Sequence, residues 1–199
     1  GWRDAAFVAR AWALVREQRV TLLAMVPTVM TALLAAPRGA ADAAGVRVAL
    51  TGGSPLPTEL AQRFESETGV PVRNILGMTE CAGVIAIEPA RAPRTPGACG
   101  LPLPFSTVVV DGQGVLRVRG PHVGPGYTDA ARNAGSFDDG WLITGDIGLV
   151  DAQGRVHVTG RAKDVIIRGS HNIDPGVIEE ALLQHPQVAM AAAVGEPDE

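Results

Sequence analysis

Between residues 3 and 18, Phe7, Val8, Ala11, Trp12, Leu14 and Val15 recur at helical spacing, and this broad apolar face predicts a helix. Residues 20–26 form a short continuous apolar run, as expected of a strand buried on both faces. Pro27 stands where a helix can start, and Val29, Met30, Leu33 and Leu34 then fall on one side. A second buried strand is predicted over 46–50, ending in Thr51-Gly52-Gly53-Ser54-Pro55. Thr58 reads as the cap of a helix over 59–67, with Pro57 just before it. A third strand over 70–76 ends in Gly77-Met78-Thr79-Glu80. Helices alternating with strands predict a parallel α/β sheet. In such sheets ligands bind at the carboxyl ends of strands, where both glycine turns fall.

The texture changes after about residue 90. Prolines and glycines are dense from 89 to 104, and short strands are predicted at 107–110, 115–118, 141–150 and 156–159. These read as a small antiparallel, β-barrel-like unit. After Gly160 a new unit begins, with a strand at 165–167, a helix from about 175 to 183 and a strand at 188–194. About 40 residues rarely build a core of their own, so the last unit reads as the truncated start of a domain.

Composition narrows the picture. The chain has 199 residues, 46% hydrophobic and 19% charged, which is ordinary for a soluble globular protein. A net charge of −4 gives no electrostatic reason to expect nucleic-acid binding. No apolar run reaches bilayer-spanning length. Charges at Arg3, Arg10, Arg16, Glu17 and Arg19 do not suit a signal peptide. Cys81 and Cys99 make no metal-binding pattern and read as reduced thiols of a cytoplasmic protein. His122, His157, His171 and His185 lack zinc-like spacing. Of 17 basic residues, Lys163 alone is lysine.

The chemistry-bearing residues lie in turns. Gly52 and Gly53 let backbone approach a flat ligand, although alone they make any tight strand-to-helix turn. Thr79 offers a hydroxyl to a phosphate oxygen, and Glu80 offers a carboxylate to Mg²⁺, which prefers oxygen ligands. Asp146, in Thr144-Gly145-Asp146, is a carboxylate able to accept from both hydroxyls of a ribose. Arg161, fifteen residues on, supplies a fixed fork of donors.

In order, Thr51-Gly52-Gly53-Ser54, Asn74-Ile75-Leu76-Gly77-Met78-Thr79-Glu80, Thr144-Gly145-Asp146, Gly160-Arg161-Ala162-Lys163-Asp164 and Gly169-Ser170-His171-Asn172-Ile173-Asp174-Pro175 resemble the motifs of the adenylate-forming enzymes. That superfamily includes acyl-CoA synthetases, luciferases and peptide-synthetase adenylation domains. The resemblance runs from about Val20 to Glu199 and implies a fold in three parts. Residues 1–105 would be the α/β portion of a large domain, 106–160 its small β unit, and 161–199 the hinge and the start of a small α+β domain. It implies nucleotide contacts at Gly52, Gly53, Ser54, Asn74, Leu76, Gly77, Met78, Thr79, Asp146 and Arg161. Thr79 and Glu80 would serve catalysis, Glu80 as the Mg²⁺ ligand. Lys163 would be the hinge, and Gly169, Ser170 and His171 would approach coenzyme A. Leu76 stands where the family usually has a tyrosine against adenine, and Ser170 where it usually has a second glycine. Arg119-Gly120-Pro121-His122-Val123-Gly124-Pro125-Gly126-Tyr127 also resembles a family segment and reads as structural, with Tyr127 packing. The link between Val110 and Val115 is shorter than the family's and reads as a deleted loop.

The implied reaction is that of an AMP-forming acyl-CoA synthetase. ATP activates a carboxylic acid, expected to be a fatty acid, to an acyl-adenylate, and CoA then displaces AMP. The family's phosphate-loop lysine and catalytic adenylation lysine match no residue here, because Lys163 already fills the hinge place. These 199 residues alone are therefore expected to be inactive. A peptide-synthetase adenylation domain is the first alternative. Lys163-Asp164-Val165-Ile166 and Asn172-Ile173-Asp174-Pro175 follow the acyl-CoA ligase style instead. A non-catalytic nucleotide-binding protein is the second.

Overall fold

A computed structural model describes every residue except 1, 3, 40, 169, 170, 184, 186, 189, 190 and 197–199, with backbone alone at 167, 171, 172 and 180. Two compact units result, Gly1–Met78 with Val84–Leu101, and Thr79–Gly83 with Pro102–Glu199.

In the first unit, α1 (Ala5–Glu17), β1 (Leu22–Met25), α2 (Pro27–Ala35), β2 (Val48–Thr51), α3 (Thr58–Thr68) and β3 (Val72–Met78) follow the predicted alternation. β1, β2 and β3 pair in parallel, as the pattern requires. Trp12 of α1 is fully buried, stacks on Phe64 of α3 at 6.2 Å and donates its indole N–H to the Leu33 carbonyl of α2 at 2.8 Å. One aromatic thus ties three helices and satisfies its only polar atom. Thr58 is not a cap. The Pro57 carbonyl already accepts from Ala61 at 3.2 Å, so helical geometry begins at Thr58, and no side chain caps this end.

Two further strands, β4 (Gly83–Ile87) and β5 (Ala98–Pro102), extend the order β1-β2-β3-β4-β5. The alternation did not predict them. β5 contains Gly100 and Pro102, which are poor strand formers. Gly100 has φ +92, and a Cβ there would lie 2.0 Å from the Ile87 carbonyl carbon. A glycine inside a strand marks such an approach.

The second unit contains a 3-10 turn at Thr79–Cys81, then β6 (Thr107–Val110), β7 (Val115–Arg119), a 3-10 turn at Ala130–Asn133, β8 (Phe137–Asp138), β9 (Trp141–Val150) and β10 (Val156–Arg161). These strands pair in the order β10-β9-β7-β6, with β8 also on β9. The path is open, with β10 and β6 apart in the strand order and not paired with each other among the described residues, which corrects the barrel-like reading. A two-stranded piece, β11 (Ile166–Arg168) with β12 (His171–Ile173), and α4 (Pro175–Leu183) follow. The strand expected at 188–194 is absent over 191–194, and Ala189 and Met190 lie outside the described residues.

The short link at 111–114 is a complete hairpin corner. Asp111 Oδ1 accepts from the amides of Gln113 and Val115 at 2.9 and 3.0 Å, and Gly114 supplies φ +82. The corner between β9 and β10 repeats it: Asp151 Oδ1 accepts from Gln153 and Arg155 at 2.9 Å each, and Gly154 has φ +77.

Along β9 burial alternates strictly through Leu142, Thr144, Asp146 and Gly148. Gly148 is required by its neighbour, since a Cβ there would lie 2.1 Å from the His157 carbonyl oxygen of β10. Gly148→Ala is expected to destabilise the chain by about 3 kcal/mol, the upper range for forced overpacking. Gly112→Ala, which meets nothing within 4 Å, should stay within about 0.5 kcal/mol of the parent in urea unfolding.

Candidate functional site

In the first unit the glycine turn follows β2. A Cβ on Gly52 would lie 2.7 Å from the Ile75 carbonyl oxygen and 2.5 Å from Ile75 Cγ1, so packing on β3 alone demands glycine there. Gly53 has φ +80, and it and Ser54 are exposed. Thr51, paired in register with Asn74, is fully buried, and its hydroxyl has no hydrogen-bond partner among the described residues.

Asn74 donates through Nδ2 to the Ala98 carbonyl at 3.1 Å, and its backbone N–H donates to Glu88 Oε2 at 2.8 Å. This predicted nucleotide ligand therefore has its amide engaged in holding β5. Leu76, Gly77 and Met78, the end of β3, are each half-buried.

The second unit holds the charged groups. Thr79 is exposed and Glu80 half-buried on the 3-10 turn. Tyr127 donates its hydroxyl to Glu80 Oε1, and Gly124 donates its backbone N–H to the Glu80 carbonyl at 2.8 Å. The Tyr127 hydroxyl and Glu80's own backbone N–H hold the carboxyl below its ordinary range, outweighing its partial burial, with a smaller contribution from the Arg161 charge. The next residue, Cys81, is buried, and desolvation, helped by the charge on Glu80, pushes its thiol up to about 11. A thiol so protonated and covered is a poor nucleophile.

Asp146 lies on the buried face of β9, between Thr144 and Gly148. Thr144 Oγ1 donates to the Leu116 carbonyl at 2.8 Å and accepts from the Asp146 backbone N–H at 3.0 Å, which fixes the turn of chain that carries the carboxylate. Opposite runs β10. Its register shifts between Val158 and Gly160, so that Arg161 pairs with Asp146. Regular alternation would have put Arg161 and Val158 on opposite faces. The bulge places them on the same one, the kind of re-aiming for which bulges serve. Arg161 Nε stands 2.8 Å from Asp146 Oδ1, with the Arg161 side chain 49% exposed and that of Asp146 only 6%. Burial raises the Asp146 pKa, and the charge and hydrogen bond of Arg161 oppose the rise.

Glu80, Asp146 and Arg161 are thus brought together in one unit, with one guanidinium acting on both carboxylates. Tyr127 was read from the sequence only as packing, and its hydroxyl is the contact that reading missed. Lys163 sits exposed in the turn after β10, where the Ala162 backbone N–H donates to the Gly145 carbonyl at 2.9 Å. Gly169 and Ser170 lie outside the described residues. His171 opens β12, with its side chain outside them too.

No group of three or more His, Cys, Asp or Glu side chains suited to a metal occurs among the described residues. Mg²⁺ does not need one, because it is commonly held by one or two carboxylates plus substrate phosphates. Glu80, ionised and partly accessible, fits that donor set. No helix among the described residues is long and apolar enough to cross a membrane.

Residues 2–128 match the family model described as AMP-binding enzyme. The chain is 37% identical, over its whole length and 33% of the relative's, to marinolic acid–CoA ligase of Pseudoalteromonas sp. (strain SANK 73390). Feruloyl-CoA synthase of Amycolatopsis sp. is also 37% identical, over 92% of this chain and 40% of that one. Among solved structures, O-succinylbenzoate coenzyme A synthetase of Bacillus subtilis with ATP and magnesium superposes at a TM-score of 0.83, with 31% identity over 96% of this chain and 42% of that one. ATP-bound MatB of Rhodopseudomonas palustris gives 0.85, with 32% identity over 94% and 39%. The chain belongs to the AMP-binding, adenylate-forming enzyme family, and it spans about a third to two fifths of the length of the curated relatives it matches.

Arg161→Ala leaves a buried carboxylate without its cation. The expected cost at neutral pH is about 1–2 kcal/mol, below the 3–5 of a fully buried pair because Arg161 is half exposed. A carboxyl whose folded pKa lies above its unfolded value binds protons better when folded. Its burden on stability is therefore present above the raised pKa and disappears as pH falls below the unfolded value. Loss of Arg161 raises that folded pKa further. Denaturant unfolding should accordingly show the deficit of the Arg161→Ala variant shrinking as pH falls through the aspartate range, whereas a pH-independent deficit would contradict the coupling.

Proposed function

We propose that the protein is part of an AMP-forming acid–CoA ligase. It would convert a carboxylic acid and ATP to an acyl-adenylate and pyrophosphate, then pass the acyl group to coenzyme A. The observation that carries this reading is the grouping of Glu80, Asp146 and Arg161 in one unit. A nucleotide asks for this combination: a carboxylate and a guanidinium for the ribose hydroxyls, and a second carboxylate for the cation on its phosphates.

On this reading Asp146 accepts from the ribose hydroxyls and Arg161 donates to the same sugar. Its present pairing with Asp146 opposes the rise in pKa that burial imposes on that carboxyl. Thr79 donates to the α-phosphate, and Glu80 holds Mg²⁺. The metal, when bound, neutralises phosphate charge during displacement. Gly52, Gly53, Ser54, Asn74, Leu76, Gly77 and Met78 are assigned to the base by their place in the family motifs, with Asn74 acting through its effect on β3 rather than through a free amide. Catalysis would then rest on positioning and charge stabilisation. Lys163 is assigned the hinge of a domain beginning near residue 161, with Gly169, Ser170 and His171 on its coenzyme A side. The names of the relatives span marinolic, ferulic, sulfoacetic and succinylbenzoic acids, so the shared motifs support a carboxylic acid without favouring a fatty one. The buried thiols of Cys81 and Cys99, not joined in a disulfide, support the reducing cytoplasm as the compartment.

The full-length protein, given ATP, Mg²⁺, coenzyme A and a panel of aromatic, short-chain and fatty acids, should release AMP and pyrophosphate and form an acyl thioester with one class. ADP as product, or no acid-dependent pyrophosphate, would overturn the proposal. The 199 residues alone should release none, since Lys163 is the sole lysine.

Lys163→Pro in the full-length protein separates the half-reactions. Proline fixes φ near −65° and removes a donor, freezing a residue that must change backbone angles. Pyrophosphate burst should persist while thioester formation falls at least about tenfold, the scale of about 1.4 kcal/mol in a barrier. Unimpaired thioester formation would remove Lys163 from the role.

A further inference from the structure

We propose that Tyr127 is a positioning residue for Glu80, its hydroxyl holding Oε1 so that the carboxylate presents one fixed orientation to the metal and phosphates. The proposal rests on the reading of Glu80 as the Mg²⁺ ligand. Three features of the second unit support it. The first is the contact itself, between a side chain on the turn Thr79–Cys81 and one 47 residues away. Glutamate has three rotatable bonds, and a lone half-buried carboxylate on a short turn would sample many positions unless something held it.

The second is that Tyr127 is itself immobilised from several sides. Its backbone N–H donates to Asn133 Oδ1 at 2.7 Å. Its ring meets Phe137 edge-on at 5.5 Å, and the Arg132 guanidinium lies 5.3 Å from the ring centroid. The third is that the same segment holds the turn by its backbone, through the Gly124 N–H on the Glu80 carbonyl at 2.8 Å. Residues 124–137 thus grip both the main chain and the side chain of Glu80. Groups that orient a metal-binding carboxylate commonly matter about as much as the ligand's own geometry, and their loss typically costs 10–100-fold in metal affinity.

The test uses the full-length protein and titrates ATP binding by calorimetry at a series of Mg²⁺ concentrations, alongside thermal melting without ligand. Tyr127→Phe keeps the ring contacts with Phe137 and Arg132 and removes only the hydroxyl. It should raise the Mg²⁺ concentration needed for half-maximal ATP affinity roughly tenfold. Glu80→Gln should shift it at least as far as Tyr127→Phe, and the double variant no further than Glu80→Gln alone, because the hydroxyl acts only through that carboxylate. A shift in Glu80→Gln with none in Tyr127→Phe overturns the positioning role and leaves the metal ligand standing. No shift in Glu80→Gln overturns the metal-ligand reading and this proposal with it. Additive losses in the double variant, tracking a lower melting temperature, would reduce Tyr127 to packing.

Discussion

A carboxylate on the buried face of a strand is expensive to keep, and β9 keeps one at Asp146. Desolvation alone would favour its protonated form, and a protonated Asp146 would lose the acceptor capacity expected of it. The surrounding structure answers this cost. Thr144 turns its hydroxyl back to receive the Asp146 amide while donating to Leu116, and Gly148 lets β10 come close. The bulge in β10 then brings Arg161 opposite the acid. Remove the bulge from the same sequence and the guanidinium would face away. The electrostatic centre of this unit is therefore a product of strand register.

Arg161 also reaches beyond its partner. Its charge contributes to keeping Glu80 ionised, so two carboxylates of different environment share one cation. Asp146 is buried and leans on Arg161. Glu80 is half-exposed and leans mainly on the Tyr127 hydroxyl. Two acids in one chain thus have the cost of charge countered by different means, one chiefly by an ion pair and one chiefly by a neutral donor.

Much of this was legible in the sequence because it lay in periodic signals. Apolar runs punctuated by glycine and proline gave α1 to α3 and β1 to β3, and β9 was placed among the short strands after residue 105. Ordered turn motifs gave Thr79, Glu80, Asp146, Arg161 and the family. What the sequence hid was what periodicity cannot encode. β4 and β5 are short, and β5 carries glycine and proline in place of strand-forming residues. The bulge breaks alternation at one residue, and its only local mark is Gly160 within the strand, a sign shared with ordinary turns. Tyr127 reaches Glu80 across 47 positions, and nothing local distinguishes a tyrosine that packs from one that also donates. Asn74 was assigned to the nucleotide, and its Nδ2 donates to a carbonyl that no motif announces.

The two hairpin corners at 111–114 and 151–154 are built alike, each around an aspartate whose Oδ1 gathers two amides from the next four residues. Burial pushes the Asp151 carboxyl upward, but Arg155, through side chain and backbone, together with His157 and the Gln153 amide, holds it well below the usual range. The bonds to the aspartate side chain and the bonds that close the turn all begin and end within five consecutive residues. The corner carries most of its own instructions, and at the first one the Gly114 carbonyl also accepts from the Gly148 N–H of β9 at 3.0 Å. It is in that sense a portable part: the segment Asp-x-Gln-Gly could be moved between hairpins of this unit and fold as it does now. Length variation in this family can then be absorbed by exchanging a long connection for this corner, without any compensating change in the strands.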